Sequence, residues 1–298
     1  MKNNPIKIML ATCCILFSTK MQAQDLLDLL GDEKPKKEFV KNAFKSTRVI
    51  NGHSIEFLSP GTMDLRILHR FGMLNQGYKN FFGLDQASMR LGFDFGLRNN
   101  MMVGIGRSTY KKELDAFIKY APIRQSTGHH SFPISVVTIA GITANSAPFA
   151  NQTIQNFTTS KIAYYFQMAI GSKISEAFTL QVTPTMVHNN IVPLSTDPND
   201  VYSVGVGGRL KFTKRMALTW DYFYLITGKT ADVNYNPLAI GIDVETGGHV
   251  FQLHFSNSTG MNERAFLNET TNTWGKGEIR WGFNLSRVFQ IKKNKKAE

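Results

Sequence analysis

Pairs of a nucleophile and a base are the first chemistry to look for in this sequence. It contains no Gly-x-Ser-x-Gly motif, the sharp turn that exposes the serine nucleophile of many hydrolases. A lipase built on a membrane barrel needs serine and histidine together on its outer wall, and the available pairs are His254 with Ser256 and His188 with Ser195. Single serines and histidines are common, so these pairs are only a weak indication of an enzyme that acts on lipid esters.

The histidines do not show the spacing of a metal site. His129 and His130 are adjacent and have no third ligand nearby, and His249 and His254 lie five residues apart, on opposite faces of a strand. The sequence has no His-Glu-x-x-His motif and no Cys-x-x-Cys motif. It therefore predicts no metal site and no cofactor.

Charged and polar residues alternate with apolar ones in several segments, so that in extended strands they would point to one face. The set comprises Arg66, Arg70, Arg90, Asp94, Arg98, Gln167, Arg209, Asp221, Asp243, Glu278 and Arg280. A charged side chain that faces lipid at the membrane midplane costs about 2 to 4 kcal/mol, so in a membrane barrel this row would face the lumen. It would then either line a passage for anionic solutes, as rings of cations do, or fill a narrow lumen with Arg–Asp pairs.

The segment from Thr47 to Phe57 carries four polar groups suited to pairing, namely Arg48, Asn51, His53 and Glu56. It reads as a strand, yet it falls outside the set of barrel strands counted below. Two hypotheses stay open for it. One is an ordered segment that enters or caps the periplasmic mouth of a barrel, and the other is an extra strand or a periplasmic stub.

The strands that would carry these residues are predicted from an alternation of apolar and polar residues. From about residue 62 onward apolar and polar residues alternate, and stretches with a helical period are nearly absent. About twelve such segments occur, each roughly 9 to 12 residues long, the length that a tilted strand needs to cross a bilayer. They are residues 62–71, 87–98, 101–109, 113–123, 132–144, 161–173, 177–188, 201–212, 216–227, 237–245, 249–257 and 277–289.

The connections between these segments mostly alternate between short and long. The short ones are residues 99–100, 174–176, 213–215 and 246–248, and the long ones are residues 72–86, 145–160, 189–200, 228–236 and 258–276. Short turns at one end and long loops at the other indicate an outer-membrane barrel with an even number of strands and its C-terminus in the periplasm. The turn near 110–112 is the exception, since it should be long and is not.

A soluble β-sandwich or lipocalin-like barrel also alternates apolar and polar residues, with the apolar row inside. Three features favour the membrane barrel. The polar row is rich in glycine, which is unfavourable within a strand unless something approaches closely. Aromatic residues such as Trp220, Tyr222 and Trp281 concentrate near strand ends, as in interfacial girdles, and the segments are long for a sandwich. A soluble exported barrel that binds a small apolar ligand stays open as an alternative.

Pro184 fits this prediction worst, because it falls in the middle of segment 177–188. A closed barrel pairs both edges of every strand, and proline cannot donate to the ladder. The sequence therefore predicts either a bulge at Pro184 or an error in the segment.

The N-terminal residues are predicted to be a secretory signal peptide. A short basic region precedes an apolar run from Ile8 to Phe17, and Ala23 ends a cleavage site. The run is shorter than the roughly 20 residues of a membrane-spanning helix. Both cysteines, Cys13 and Cys14, lie within it, so the predicted mature chain has no disulfide; lipid attachment at Cys13 is an alternative.

The charge of the chain does not indicate a nucleic-acid partner. Without the three lysines of the predicted signal peptide, 31 basic and 22 acidic residues leave a net charge of +9. The basic residues are dispersed rather than gathered in a patch, apart from residues 34–37 and 292–296. An exported protein also rarely meets nucleic acid, so these charges are assigned to solvated tails and to the interior of the fold.

Four stretches carry a resemblance to a known family: residues 47–56, 68–72, 80–85 and 102–108. Through them, residues 46–108 resemble an uncharacterised β-barrel family of Gram-negative outer membranes, a domain of unknown function. The resemblance continues more weakly to the C-terminus. It implies a single barrel domain and carries over no catalytic residues.

Together these features predict an all-β fold, a single antiparallel transmembrane β-barrel of about 12 strands with short periplasmic turns and longer outer loops. Its expected parts are a signal peptide (1–23), a periplasmic arm with the plug candidates (24–61), the barrel (62–290) and a basic tail (291–298). The expected function is non-enzymatic, a narrow pore or a scaffold with a charged lumen in the outer membrane. The expected partners are outer-membrane lipid and a periplasmic protein bound through residues 24–45.

Overall fold

The computed structural model of the protein describes residues 36–149, 157–192, 196–227 and 234–292. The strands within these ranges are β1 (Glu38–Phe39), β2 (Thr62–Met73), β3 (Ala87–Arg98), β4 (Met101–Ser108), β5 (Glu113–Ile123), β6 (Ser126–Thr127), β7 (Ser135–Asn145), β8 (Ile162–Lys173), β9 (Phe178–Asn189), β10 (Asp200–Lys211), β11 (Met216–Leu225), β12 (Leu238–Thr246), β13 (His249–Ser256) and β14 (Arg280–Gln290). The predicted signal peptide, residues 24–35 of the arm and residues 293–298 of the tail lie outside the described residues.

Twelve of these strands form one closed antiparallel barrel. Its neighbours follow the chain order from β2 to β14 without β6, and β14 pairs with β2 to close the wall. β1 and β6 form a separate two-stranded sheet. Each of the twelve predicted segments overlaps one barrel strand, and no strand end differs from the prediction by more than three residues. The predicted fold class is therefore confirmed.

Helical residues are few and lie in the connections. The helix α1 spans Glu263–Asn268, and short 3-10 turns span Leu74–Gln76, Tyr78–Gly83, Tyr110–Lys112, Thr158–Lys161 and Trp274–Lys276. Within the described ranges, no helix has the length and apolar character needed to cross a membrane.

The alternation along each strand separates a lipid-facing row from a lumen-facing row. In β8, the side chain of Phe166 is 57% exposed, whereas the adjacent Gln167 is 4% exposed. Arg66 in β2 and Asp221 in β11 are likewise buried inside the wall. An apolar exterior around a polar interior is the arrangement of a membrane barrel and the reverse of a soluble one.

The connections give the two ends of the barrel different shapes. β3–β4, β8–β9, β10–β11 and β12–β13 are joined by tight turns at one end, which we call the short-turn end. The opposite, long-loop end carries the extended connections, of which the segment between β13 and β14 is the longest. Short turns are periplasmic in outer-membrane barrels, so the long-loop end faces outward. The β4–β5 connection, residues 109–112, is the shortest of the connections at that end.

Pro184 lies within β9 without shifting its register, so neither the predicted bulge nor the predicted error in the segment occurs. The pairing of β8 with β9 includes Gln167 with Thr185 and resumes at Ile170 with Val182, in the same register. The ladder is interrupted for two residue pairs because proline has no N–H to donate. On the other edge, Pro184 stays paired with Val204 of β10.

The facing of the wall predicts the result of a charge substitution. Phe166→Arg is expected to prevent assembly, because a guanidinium facing lipid near the midplane costs about 2 to 4 kcal/mol. Phe166→Leu, which keeps the wall apolar, should assemble normally. Assembly is measured as the gel-mobility difference between boiled and unboiled samples, and an equal difference for both variants would contradict the facing assignment.

Candidate functional site: a plugged lumen

The lumen is occupied by the chain's own N-terminal segment, residues 43–58, which we call the plug. The plug enters and leaves at the short-turn end. Its first residue, Ala43, donates its N–H to the carboxylate of Glu56 at 2.8 Å, and the Ala43 carbonyl accepts from Thr179 at 2.8 Å. Just after the plug, the Gly61 N–H donates to the carbonyl of Gly96, beside a tight turn, at 2.9 Å. Both ends of the plug therefore lie at the same mouth of the barrel.

The plug folds as a compact loop, so the expectation that Thr47 to Phe57 forms a strand is wrong. Its only ladder contact is the isolated bridge between Arg48 and His53. The Val49 N–H donates to the Gly52 carbonyl at 2.9 Å and closes the tip of the loop. Every barrel strand already pairs on both edges, so no free edge is available to extend the plug as a strand. The segment contacts inward-facing side chains of the wall, among them Asp221, Gln181 and Lys119.

Asp221 of β11 holds the tip of the plug. Its carboxylate accepts the backbone N–H groups of Ile50, Asn51 and Gly52 at 3.2, 2.6 and 3.1 Å, and its second oxygen accepts the Asn51 side-chain amide at 2.8 Å. Asp221 is 1% exposed. Successive backbone N–H groups around one carboxylate form an anion-binding concavity, which fixes the conformation of the tip.

Other wall residues bind the backbone on the returning arm of the plug. The Gln181 amide donates to the His53 carbonyl at 2.8 Å and accepts the Ile55 N–H at 3.1 Å. The Lys119 ammonium donates to the Glu56 carbonyl at 2.7 Å. These side chains satisfy backbone groups that the loop conformation leaves without partners inside the plug.

The long-loop end contributes a second segment to the lumen, residues 257–270, which we call the inner loop. It contains α1, whose N-terminus is capped by Asn262 accepting the Ala265 N–H at 2.8 Å. Phe266 and Glu263 of this helix are both 0% exposed. The plug and the inner loop thus fill the lumen from opposite ends.

A buried ion pair joins the plug to the inner loop. The Arg48 guanidinium lies 2.8 Å from the Glu263 carboxylate, and their side chains are 1% and 0% exposed. The Nε2 atom of His53 lies 3.3 Å from the same carboxylate oxygen. Burial, reinforced by nearby cations of which Arg48 is the strongest, holds the pKa of His53 well below its ordinary value. His53 is therefore neutral at pH 7, and the Arg48–Glu263 pair carries the charge of this contact.

Arg70 of β2 also contacts both segments. Its guanidinium donates to the side-chain oxygen of Asn51 in the plug and to the Ser258 carbonyl in the inner loop, the latter at 3.0 Å. Arg70 is 2% exposed. One cation of the wall therefore binds the two segments that close the lumen.

Most of the residues predicted to face the lumen are buried on the inward face of the wall. Those buried within the wall are Arg66, Arg70, Arg90, Asp94, Gln167, Arg209, Asp221 and Asp243. Arg66 pairs with Asp64 at 2.7 Å, and Arg90 pairs with Asp115. These neutralised pairs fit the hypothesis of a filled lumen better than that of a cation-lined passage.

Three predicted lumenal residues lie elsewhere. Arg98 is exposed at the end of β3, where a register shift follows Gly96 and the strand runs into a tight turn. Glu278 precedes β14 and accepts the Thr273 N–H at 2.8 Å within the long connection. Arg280 is only partly buried and donates to the Phe71 carbonyl at 3.3 Å. All three belong to the rims, because strand alternation stops applying where the ladder ends.

Three buried residues with contacts inside the lumen, Asp115, Lys119 and Glu263, were not predicted from the sequence. Asp115 and Lys119 lie on the inward face of β5, two residues before and two residues after the buried Phe117. The two-residue alternation of this strand therefore predicts that both face the lumen. Glu263 lies in a long connection without strand alternation, and no local pattern marks it. All four plug candidates, Arg48, Asn51, His53 and Glu56, lie inside the lumen or at its mouth.

Among the described residues, neither proposed serine and histidine pair stands complete on the outer wall, although His188 itself lies on the outward row of β9 with its side chain 40% exposed. His254 and Ser256 are 1% and 0% exposed and face the lumen, away from lipid. His188 places its Nδ1 atom 2.7 Å from the carboxylate of Asp200, and Ser195 lies outside the described residues. In the described part of the chain, no three His, Cys, Asp or Glu side chains converge as metal ligands.

A cavity of about 360 Å³ separates the plug from the wall at the short-turn end. It is lined by plug residues from both arms of the loop and by wall residues such as Asp64, Arg124 and Ser286. At this mouth, Lys45 forms an ion pair with Glu245 at 2.6 Å, and both side chains are partly exposed. The plug is therefore tightly held at its tip and solvated at its base.

Comparison with known proteins identifies the family and the fold. Residues 44–289 match the family described as "Membrane bound beta barrel domain (DUF5777)". Among solved structures, the chain is similar to the NanC porin, with 10% identity, a TM-score of 0.50, and coverage of 76% of this chain and 98% of that one. It is also similar to the COG4313 outer membrane channel from Pseudomonas putida F1, with 11% identity, a TM-score of 0.45, and coverage of 78% and 97%. No curated protein matches the sequence.

The family match settles the class of the protein. It begins within the plug and ends within β14, so the family domain includes both the plug and the barrel. The predicted resemblance and the predicted outer-membrane location are confirmed, and the alternative of a soluble ligand-binding barrel is wrong. The chain belongs to the family of membrane-bound β-barrel domains.

Proposed function

We propose that this protein is a narrow, non-enzymatic outer-membrane channel that its own plug keeps closed at rest. The observation that carries the proposal is the path of the plug, which enters and leaves the lumen at the short-turn end. Residues 43–58 can therefore withdraw toward the periplasm as one loop, without threading the chain through the barrel. The cavity of about 360 Å³ at the base of the plug gives this movement room to begin.

The contacts of the plug suit reversible release. Asp221, Gln181 and Lys119 hold it through hydrogen bonds to its backbone. Water can replace these bonds on both partners once the plug leaves. A buried ion pair such as Arg48–Glu263 contributes little net stability compared with apolar packing, because its desolvation cost offsets the attraction. The polar wall would thus remain satisfied as a hydrated passage.

A reversible cross-link between the plug and the wall tests this proposal. A Cβ atom added at Gly207 would lie 3.2 Å from Cγ2 of Val49, so Val49→Cys with Gly207→Cys would bring the two cysteine side chains into contact for cross-linking. The two natural cysteines lie in the predicted signal peptide, so the pair would be the only thiols of the mature protein. We expect planar-bilayer recordings of the reduced double variant to show openings under applied voltage. Oxidation should abolish them.

The single variants Val49→Cys and Gly207→Cys serve as controls, because they cannot form the cross-link and should respond to neither oxidant nor reductant. Replacement of residues 43–58 by a Gly/Ser linker of equal length provides a permanently open reference. A folded linker variant that does not conduct, or openings that persist in the oxidised double variant, would contradict the proposal and favour a scaffold role.

We further propose that a periplasmic protein binds the N-terminal arm and thereby moves the plug. Residues 36–42 lead directly into the plug and lie at the short-turn end, where β1 pairs with β6 through Glu38 with Thr127 and Phe39 with Ser126. This pairing is only two residues long, and Phe39 stays 45% exposed. A partner bound to the arm would therefore be mechanically connected to the plug.

A further inference from the structure

The lipid-facing wall carries an apolar groove between β3 and β7, near the short β4–β5 connection of the long-loop end. Its volume is about 430 Å³, within the range of ligand pockets. Ala116 forms its floor and stands opposite Ile105 of β4 and Ile142 of β7 in the strand register. One row closer to the long-loop end, Leu114 stands opposite Ala144. Small side chains flanked by large ones thus create a trough, with Ile105 and Leu114 55% and 47% exposed on its sides.

A cation lies at the outer end of this groove. Arg107 pairs in register with Leu91 and Leu114, one row closer to the long-loop end than Ile105, and its exposed side chain is part of the groove lining. The guanidinium of Arg107 donates to the Ser146 hydroxyl at 3.1 Å. A cation in this position can keep its charged group at the membrane interface while its stem covers apolar surface.

The backbone of Lys112 lies close to Arg107 at the same rim. The Ser146 hydroxyl that accepts from Arg107 itself donates to the Lys112 carbonyl, so the three residues form one cluster. Two acidic residues of this rim are engaged elsewhere, since Glu269 pairs with Lys111 and Arg264, and Glu113 pairs with Arg264. Neither Arg107 nor Lys112 forms an ion pair with a carboxylate of the described residues, so the two contribute positive charge to this rim.

The groove and the two cations together are complementary to a ligand that has an apolar chain and an anionic headgroup. Lipid tails are as apolar as the side chains of the wall, so the groove alone selects weakly among lipids. Interfacial cations attract anionic lipid, and a guanidinium binds phosphate through paired hydrogen bonds. We propose that this site binds one phosphate-bearing lipid of the outer leaflet, with an acyl chain in the groove over Ala116 and the phosphate between Arg107 and Lys112.

A second groove on the same wall provides a matched control. It lies between β5 and β10, has a volume of about 500 Å³, and includes Ala140 flanked by Ile118 and Phe166. The described residues that line it include no lysine or arginine. It should accept lipid chains without selecting the headgroup.

Native mass spectrometry of the full-length protein in detergent tests the site. We expect phosphatidic acid to bind one per barrel, and about 30-fold more tightly than phosphatidylcholine with the same chains, as two interfacial cations imply. Arg107→Gln with Lys112→Gln should remove this preference, and Ala116→Phe should weaken the binding of phosphatidic acid. Ala140→Phe, in the second groove, should leave it unchanged. Each variant is first checked for heat-modifiable migration, and Arg107→Lys provides a milder charge-retaining variant.

Three outcomes would overturn the proposal. Equal affinity of the natural protein for the two lipids would show that no headgroup is selected. Retained preference in the Arg107→Gln and Lys112→Gln double variant, or unchanged binding in Ala116→Phe, would place the lipid elsewhere. Displacement of phosphatidic acid by an equal concentration of inorganic phosphate would show a simple anion site that makes no use of the groove.

Discussion

Replacing Glu263 with leucine is expected to open the lumen. Arg48 would then be buried without its carboxylate, and loss of one partner of a buried ion pair costs about 3 to 5 kcal/mol. Water reaches Arg48 once the plug withdraws, so the cost falls on the closed state alone. The ratio of closed to open channels should fall by roughly two to four orders of magnitude. Planar-bilayer recordings measure this change as a rise in open probability.

The double variant Arg48→Met with Glu263→Leu separates this explanation from a general loss of packing. Replacing both partners of a buried pair with apolar residues of similar size is often neutral or stabilising. The double variant should therefore close again, with an open probability near that of the natural protein. If it conducts as freely as Glu263→Leu, the ion pair is not the contact that holds the plug against the inner loop.

Replacing Asp221 with asparagine is expected to release the tip of the plug. The carboxylate accepts three backbone N–H groups and one side-chain amide. A neutral amide loses the charge-assisted part of these bonds and directs its own N–H groups at other donors, where each weakened bond costs about 1 kcal/mol or more. Hydrogen exchange of the amides of Ile50, Asn51 and Gly52 should accelerate by about 100-fold, measured by mass spectrometry.

Asp243→Asn is the matched control for this experiment. Asp243 is also a buried lumenal carboxylate, 3% exposed, but it accepts from Thr219 and Gln252 rather than from the plug backbone. Asp243→Asn should leave the hydrogen-exchange rates of the amides of residues 50–52 within a few fold of those of the natural protein. Equal acceleration in both variants would show that the tip responds to any loss of lumenal charge and not to its own carboxylate.

The plug and the inner loop meet through contacts of very large sequence separation, which explains why only part of the site was predictable. Arg48 lies 215 residues from Glu263, and Asn51 lies 170 residues from Asp221. The polar composition of residues 47–57 marked the segment as unusual. No local pattern could show which wall residues it would meet, nor that Glu263 from an outer connection would be its counter-ion.

The strands of the barrel and their facing follow from local patterns along the chain. In strands such as β8, alternation assigned Phe166 to lipid and Gln167 to the lumen, because a period of two is a local property of the extended chain. The alternation of turn and loop lengths determined the even strand number and the direction of the ends. Even Pro184 in β9 changed only two ladder pairs, because ten or more other residues in the strand hold its register.

Tertiary structure alone decided whether the barrel is open or filled. Closing twelve strands leaves a lumen whose width and polarity depend on all the strands together. The inward-facing charges of one strand pair with those of other strands, as Arg90 of β3 does with Asp115 of β5. The plug became a loop and not a strand because closure left it no unpaired edge, and its backbone groups had to be satisfied by side chains such as Asp221. Strand alternation is a short-range property that each segment carries on its own, whereas the closed lumen is a property of the assembled wall.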